Sequence, residues 1–219
     1  MNGALAGLVL LIIGDSHIAA GNFFNNPLHN ALMAQGATVH SYGVCSSTPE
    51  DWLRPLTLSC GGGERHGDQP VRRADSKTPL PWAIGNLIAQ NHPDIMIVEL
   101  GDTMADYPTA QTLPRETITN DVKLLTGAIS ARNVPCIWVG PSWGSEGGPY
   151  KKTFARVKEL SDLLSHTVAP CRYIDSLAFS QPGEWATVDG VHLTDGSYSL
   201  WASKLADAII RIAPDLRKH

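Results

Sequence analysis

The sequence is short of the features that define several protein classes. It contains no C-x-x-C pair, which argues against a structural zinc site of the common kinds. No stretch reaches the roughly 18 consecutive apolar residues that a membrane-spanning helix needs. Basic clusters are also missing. Arg72 and Arg73, and Lys151 and Lys152, are isolated pairs in a chain of formal net charge −4, which excludes an extended nucleic-acid surface. Charged residues are scarce, 17% against 43% hydrophobic, so the chain is not a disordered polyelectrolyte. Neither an internal repeat nor a Pro/Gly-rich linker divides it, and its 219 residues suit a single domain over 1–219.

The opening "MNGALAGLVLLII" lacks the basic leader and small-residue cleavage site of a signal peptide. Residues 8–13 read instead as a first strand, and 1–6 as a trimmed linker or cloning scar. Four cysteines, Cys45, Cys60, Cys136 and Cys171, fit either two disulfides in an oxidising compartment or four reduced core thiols.

What is present is an alternation of short apolar runs and helical periodicity. Strands are expected over 8–13, 37–42, 95–100, 136–139 and 171–174. Helices are expected over 18–35 (interrupted near Asn25 to Pro27), 81–91, 115–132, 150–167 and 196–212. Five continuous apolar strands with intervening helices imply a mostly parallel sheet covered on both faces. Ligands of such sheets sit beyond the carboxyl ends of the strands. Several of those ends carry glycine followed by polar residues: Gly14-Asp15-Ser16, Gly43-Val44-Cys45, Gly101-Asp102-Thr103 and Gly140-Pro141-Ser142. Residues 45–77 read as one long irregular loop, and such loops are functional or disordered.

Ser16 stands where the first helix should begin, and helix N-termini favour developing negative charge. A serine becomes a nucleophile only with a base. Asp189-Gly190-Val191-His192 offers one, since this spacing lets the carboxylate reach the imidazole Nδ1 and leaves Nε2 for the serine proton. Ser16 by itself is an ordinary helix cap. Combined with Asp189 and His192 at the far end of an α/β chain, it is far more specific.

These blocks resemble the SGNH/GDSL hydrolase superfamily. Gly14-Asp15-Ser16-His17 matches its first block in the G-D-S-H form, Gly43 its second, and Asp189-x-x-His192 its last. The resemblance spans residues 8 to about 212. It implies a flavodoxin-like three-layer α/β/α sandwich with a mostly parallel five-stranded sheet. It also implies Ser16 as nucleophile, His192 as base, Asp189 as its orienter, and an oxyanion hole from Ser16, Gly43 and the third-block residue. That third block departs from the family's G-x-N-D, because Thr103 replaces the asparagine.

The G-D-S-H form is similar to domains that handle acetyl groups on polysaccharides. The expected activity is therefore a serine-dependent carbohydrate O-acetyl esterase acting through an acyl-enzyme on an acetylated glycan or small ester. The same triad would serve an O-acetyltransferase, and Thr103 also fits a weakened glycan-binding module. No metal or other cofactor is implied. A rival metallophosphoesterase reading rests on the D-x-H form of Asp15-Ser16-His17. Asp15, His17, Trp143 and Trp185 are the candidate substrate contacts, with Trp52 and Trp82 as further loop tryptophans. In a flavodoxin-like sheet the starts of the fourth and fifth strands are neighbours, so the expected bridges are Cys136 with Cys171 and Cys45 with Cys60, the latter closing the long loop. The implied setting is periplasmic or secreted, and a membrane-anchored or polysaccharide-machinery context is compatible with it.

Overall fold

The computed structural model describes residues 3–57, 60–74 and 79–216. The chain runs β1 (Val9–Gly14), α1 (Ser16–Ala19), a π-type turn (Gly21–Asn25), α2 (Asn26–Ala34), β2 (Thr38–Val44), β3 (Gly62–His66) and β4 (Arg72–Ala74). It continues through α3 (Ile84–Asn91), β5 (Ile95–Glu99), α4 (Arg115–Ser130), β6 (Cys136–Val139), α5 (Phe154–Thr167), β7 (Arg172–Ile174) and α6 (Asp195–Leu216). The strands form one seven-stranded sheet in the order β4-β3-β2-β1-β5-β6-β7. From β2 to β7 neighbouring strands are parallel, while β3 and β4 add antiparallel to the β2 edge.

The alternation of side chains along the strands builds two cores. Leu11, Ile13, Met96 and Val98 face α3, α4 and α5, whereas Leu10, Ile12, Ile95 and Ile97 face α2 and α6. The three-layer α/β/α expectation holds, with five parallel strands at its centre.

The two added strands correct the expectation that 45–77 is irregular. "GGERH" has none of the β-branched or aromatic residues that mark a strand. It pairs because β2 offers an open edge, with Gly43 opposite Gly63 and Tyr42 opposite Glu64. Leu58, Ser59 and 75–77 of that stretch lie outside the described residues. At the chain start, Leu5 is fully buried and its N–H donates to Gln35 O at 2.9 Å. Gly3 to Ala6 are thus part of the fold rather than a linker; Met1 and Asn2 lie outside the described residues. Among the described residues no helix is long and apolar enough to cross a membrane.

Both expected disulfides are formed. Cys45 and Cys60 have Cα atoms 5.6 Å apart, and Cys136 and Cys171 4.6 Å apart, within the reach of a bridge. The second ties the start of β6 to the residue before β7.

A row of glycines seats the first helix. Gly14, Gly43 and Gly63 are register partners across β1, β2 and β3. A Cβ on Gly14 would lie 2.4 Å from Ile18 Cγ1, on Gly43 2.2 Å from Ala19 N, and on Gly63 2.5 Å from Ala19 O. Three adjacent strands therefore lack side chains where α1 rests on them, and α1 carries Ser16. Gly43→Ala meets backbone that cannot swing aside. It should cost about 1–3 kcal/mol or more in urea denaturation, and an unchanged midpoint would contradict this packing.

Candidate active site

Ser16 is the first residue of α1, directly beyond the carboxyl end of β1. Asp15 caps the helix, its Oδ1 accepting from His17 N at 3.1 Å. The distant pair arrives on a turn closed by a Thr187–Leu193 bridge. Asp189 Oδ1 accepts from Val191 N at 3.0 Å and His192 N at 2.7 Å, an Asx-type turn. Gly190 supplies the φ of +94° that this turn requires. The turn aims the imidazole: His192 Nδ1 lies 2.7 Å from Asp189 Oδ2, and Nε2 lies 2.8 Å from Ser16 Oγ. Burial works against the charge on Asp189, but its bonds from the His192 ring and the backbone hold the carboxyl below its usual range. Phe23 stacks on the imidazole at 4.9 Å between ring centroids, and Tyr150 meets it edge-on at 5.9 Å.

A serine–histidine contact alone does not make a site. Ser41 Oγ also lies 2.7 Å from a histidine nitrogen, Nδ1 of His29. Both residues are fully buried, however, and His29 Nε2 bonds to Gly67 O. Burial and then Arg65 push His29 down to about 3, so it stays neutral. Ser16 and His192 differ in opening on two cavities, of about 470 and 240 Å³. Cys45 faces both. Phe23, Cys60, Gly61 and Arg73 line the larger, and Ser46, Thr103, Asp106 and Tyr150 line the smaller.

Several expected contacts lie elsewhere. Asp15 and His17 are buried beneath Ser16 and face neither cavity. Trp185, Trp52 and Trp82 are core residues. Trp143 is half-buried, with Nε1 donating to Leu177 O and Ser180 O. None of these four indoles lines either cavity at Ser16. Gly43 sits inside β2. Its N–H points the same way as that of Cys45, two residues on, which donates to Gly61 O in the β3 direction. Gly43 therefore shapes the seat of α1 and is turned away from Ser16.

Ser46 occupies the place beyond the end of β2 that Gly43 was expected to fill. It has a left-handed backbone, φ 60°, lines the smaller cavity beside Ser16, and its N–H has no acceptor among the described residues. The Ser16 N–H is likewise free of a partner among them. A serine gives no sequence signal for a left-handed position, which is why Ser46 was missed. Thr103 does line this cavity, but its hydroxyl donates to Asp15 Oδ2 at 3.3 Å.

Beneath the site lies a buried polar network. Lys152, fully buried, donates to Asp102 at 2.8 Å and to Ser142 O at 3.1 Å. Tyr107 OH donates to Asp102 at 2.6 Å, and His17 bridges Tyr198 OH at 2.7 Å and Asp102 at 3.4 Å. Burial alone would raise Asp102, yet the Lys152 ammonium and then His17 hold it far below the usual carboxylate range. Glu99 is the opposite case. Burial, then Asp15 and Asp102, push its carboxyl well above the usual range despite Lys152, and its Oε2 has no partner among the described residues. Asp15, His17 and Glu99 carry ligand atoms within 4.8 Å of one another, a set that could chemically hold a cation. All three are buried under Ser16, so the D-x-H motif leads to an enclosed set rather than to a site open to a phosphoester.

The chain is 42% identical to Protein BcsX of Komagataeibacter xylinus, over all of this chain and 81% of that protein. The chain belongs to the BcsX family. It matches no protein-family model. Its fold is that of the SGNH/GDSL hydrolases. A GDSL-like lipase from Bacteroides thetaiotaomicron superposes with a TM-score of 0.61 at 11% identity, over 94% of this chain and 88% of that one. An acetyl esterase solved with an acetate ion gives 0.61 at 12%, over 95% and 99%.

Glu99 generates a test of the buried network. Its folded pKa is raised, so its contribution to stability is fully present below the unfolded value of 4.5 and is lost as pH rises through the folded one. Glu99→Gln lacks this dependence. The variant should gain on the parent by up to about 1.4 kcal/mol per pH unit above about pH 5, read by urea denaturation at several pH values. A difference independent of pH would mean that Glu99 folds ionised.

Proposed function

We propose that this chain is a serine-dependent O-acetyl esterase of glycans. The observation that carries the reading is the continuous Asp189–His192–Ser16 hydrogen-bond chain opening on two cavities. His192 Nε2 takes the Ser16 proton as Oγ attacks the acetyl carbonyl, while Asp189 holds the Nδ1 proton and steadies the imidazolium. The tetrahedral oxyanion is met by the N–H groups of Ser16 and Ser46, which have no acceptor among the described residues. Collapse passes the proton from His192 to the departing sugar hydroxyl and leaves acetyl-Ser16. Water then attacks, His192 takes its proton, and acetate leaves as Ser16 is reprotonated. A second sugar hydroxyl in place of water would give O-acetyl transfer through the same intermediate.

Support for an acetyl ester comes from the acetyl esterase among the structural neighbours. Support for a glycan comes from the smaller cavity. Tyr150, 39% exposed beside His192, offers an aromatic face, and the exposed Asp106 offers carboxylate oxygens to sugar hydroxyls. The two disulfides favour an oxidising compartment, the periplasm or the exterior.

A fluorophosphonate should label Ser16, and Ser16→Ala should lower acetate release from an acetylated oligosaccharide by at least about 10³-fold, with chelator having no effect on the parent. Labelling of another serine, or full activity without Ser16, would remove the assignment.

Thr103 sets the level of activity. Its single hydroxyl proton is committed to Asp15. An asparagine there has two amide protons and a longer reach, one for Asp15 and one for the oxyanion. Removing one oxyanion donor costs about 10²–10³ in turnover, so Thr103→Asn should raise kcat on p-nitrophenyl acetate roughly ten-fold with little change in KM. An unchanged or lower kcat would show that the site does not lack this donor.

A further inference from the structure

We infer that the Cys45–Cys60 disulfide is a positioning element of the catalytic apparatus: it holds the Ser46 backbone where its N–H serves the oxyanion on Ser16. The inference rests on the esterase reading and adds to it a covalent support for one donor.

Ser46 is in a conformation that needs holding. A non-glycine residue in the left-handed region is strained and persists only where its surroundings over-determine it. Packing does not do so, because Ser46 is exposed. The constraint comes from its neighbours along the chain. On one side, Cys45 N donates to Gly61 O at 3.0 Å, and the Cys45 side chain is bonded to Cys60. Ser46 Oγ lies over the bridge, 3.8 Å from Cys45 Sγ and 3.5 Å from Cys60 Sγ. On the other side, Ser47 is buried, its N–H donates to Val44 O at 3.1 Å, and its Oγ accepts from Trp52 Nε1 at 3.2 Å. Ser46 is exposed between the two anchored neighbours Cys45 and Ser47, and it lines the cavity that holds Ser16 and His192.

The bridge is placed for this task. Cys45 faces both cavities and Cys60 the larger one, so the covalent link forms part of the wall beside the nucleophile. The other disulfide makes the contrast. Cys136 and Cys171 are buried in the core at the amino ends of β6 and β7, and neither lines a cavity at Ser16. A purely stabilising role predicts that the two bridges behave alike in an activity assay.

Paired Cys45→Ser and Cys60→Ser substitutions should lower kcat on p-nitrophenyl acetate by about 10–100-fold, up to the loss of one oxyanion donor, with KM within about two-fold. The rate of fluorophosphonate labelling should fall in parallel. Paired Cys136→Ala and Cys171→Ala substitutions should lower the melting temperature but leave kcat within about two-fold while the protein is folded. Adding Ser46→Gly to the variant without the first bridge should recover much of the lost kcat, because glycine reaches the left-handed region without a clamp. Circular dichroism reports folding in every case. Full activity in the folded Cys45/Cys60 variant, equal losses from both bridges, or no recovery with glycine would overturn the inference. If the parent itself is not labelled at Ser16, the esterase reading fails and takes this inference with it; a labelled parent with an equally labelled variant removes the inference alone.

Discussion

The close approach of α1 to the sheet is the constraint on which the site depends. A short helix of four residues has little stability of its own. It is held because Gly14, Gly43 and Gly63 clear a trough across three strands, and because Ile18 fills the space above β1. Ser16 is thereby fixed to a helix seated on the centre of the sheet rather than to a loop. A general base can then be brought to it by a turn whose own geometry is set by one carboxylate.

Below that contact the protein shifts two buried carboxylates in opposite directions. The buried Lys152 ammonium against it holds Asp102 below the usual carboxylate range, whereas burial, then Asp15 and Asp102, raise Glu99 well above it. A buried ion pair contributes little net stability against an apolar alternative, but breaking it is costly. The Lys152–Asp102 pair ties the segment before α5 to the turn after β5. It thus joins the strand end bearing Thr103 to the layer of helices behind it, and His17 extends the connection to Tyr198 on α6.

Legibility in the sequence followed the strength of the local signal. The apolar strands, their parallel order and the Asp189-x-x-His192 spacing were readable because burial on two faces and a short turn impose narrow patterns. The cysteine pairings were readable because neighbouring strand starts and a single long loop leave few partners within reach. β3 was not, since a glycine-rich strand pairs by opportunity on an open edge and carries no periodicity. Nor were the tryptophans' positions: an indole beside a loop looks the same in sequence whether it packs inward or faces out. Gly43 matters here through its missing side chain, which seats α1, while an N–H with no acceptor among the described residues lies three residues later on Ser46, where a serine conceals a left-handed backbone.

The order in which the chain emerges has its own consequence. Ser16 Oγ and His192 Nε2 meet across a separation of 176 residues, and Asp189 and His192 come just before α6, the helix that covers β1. During synthesis the Ser16 hydroxyl therefore has no imidazole partner until residue 192 is present and the turn that carries it has reached the end of β1. A polypeptide that stops short of His192 carries Ser16 without this contact, so the hydroxyl–imidazole pair is a product of long-range folding rather than of local structure.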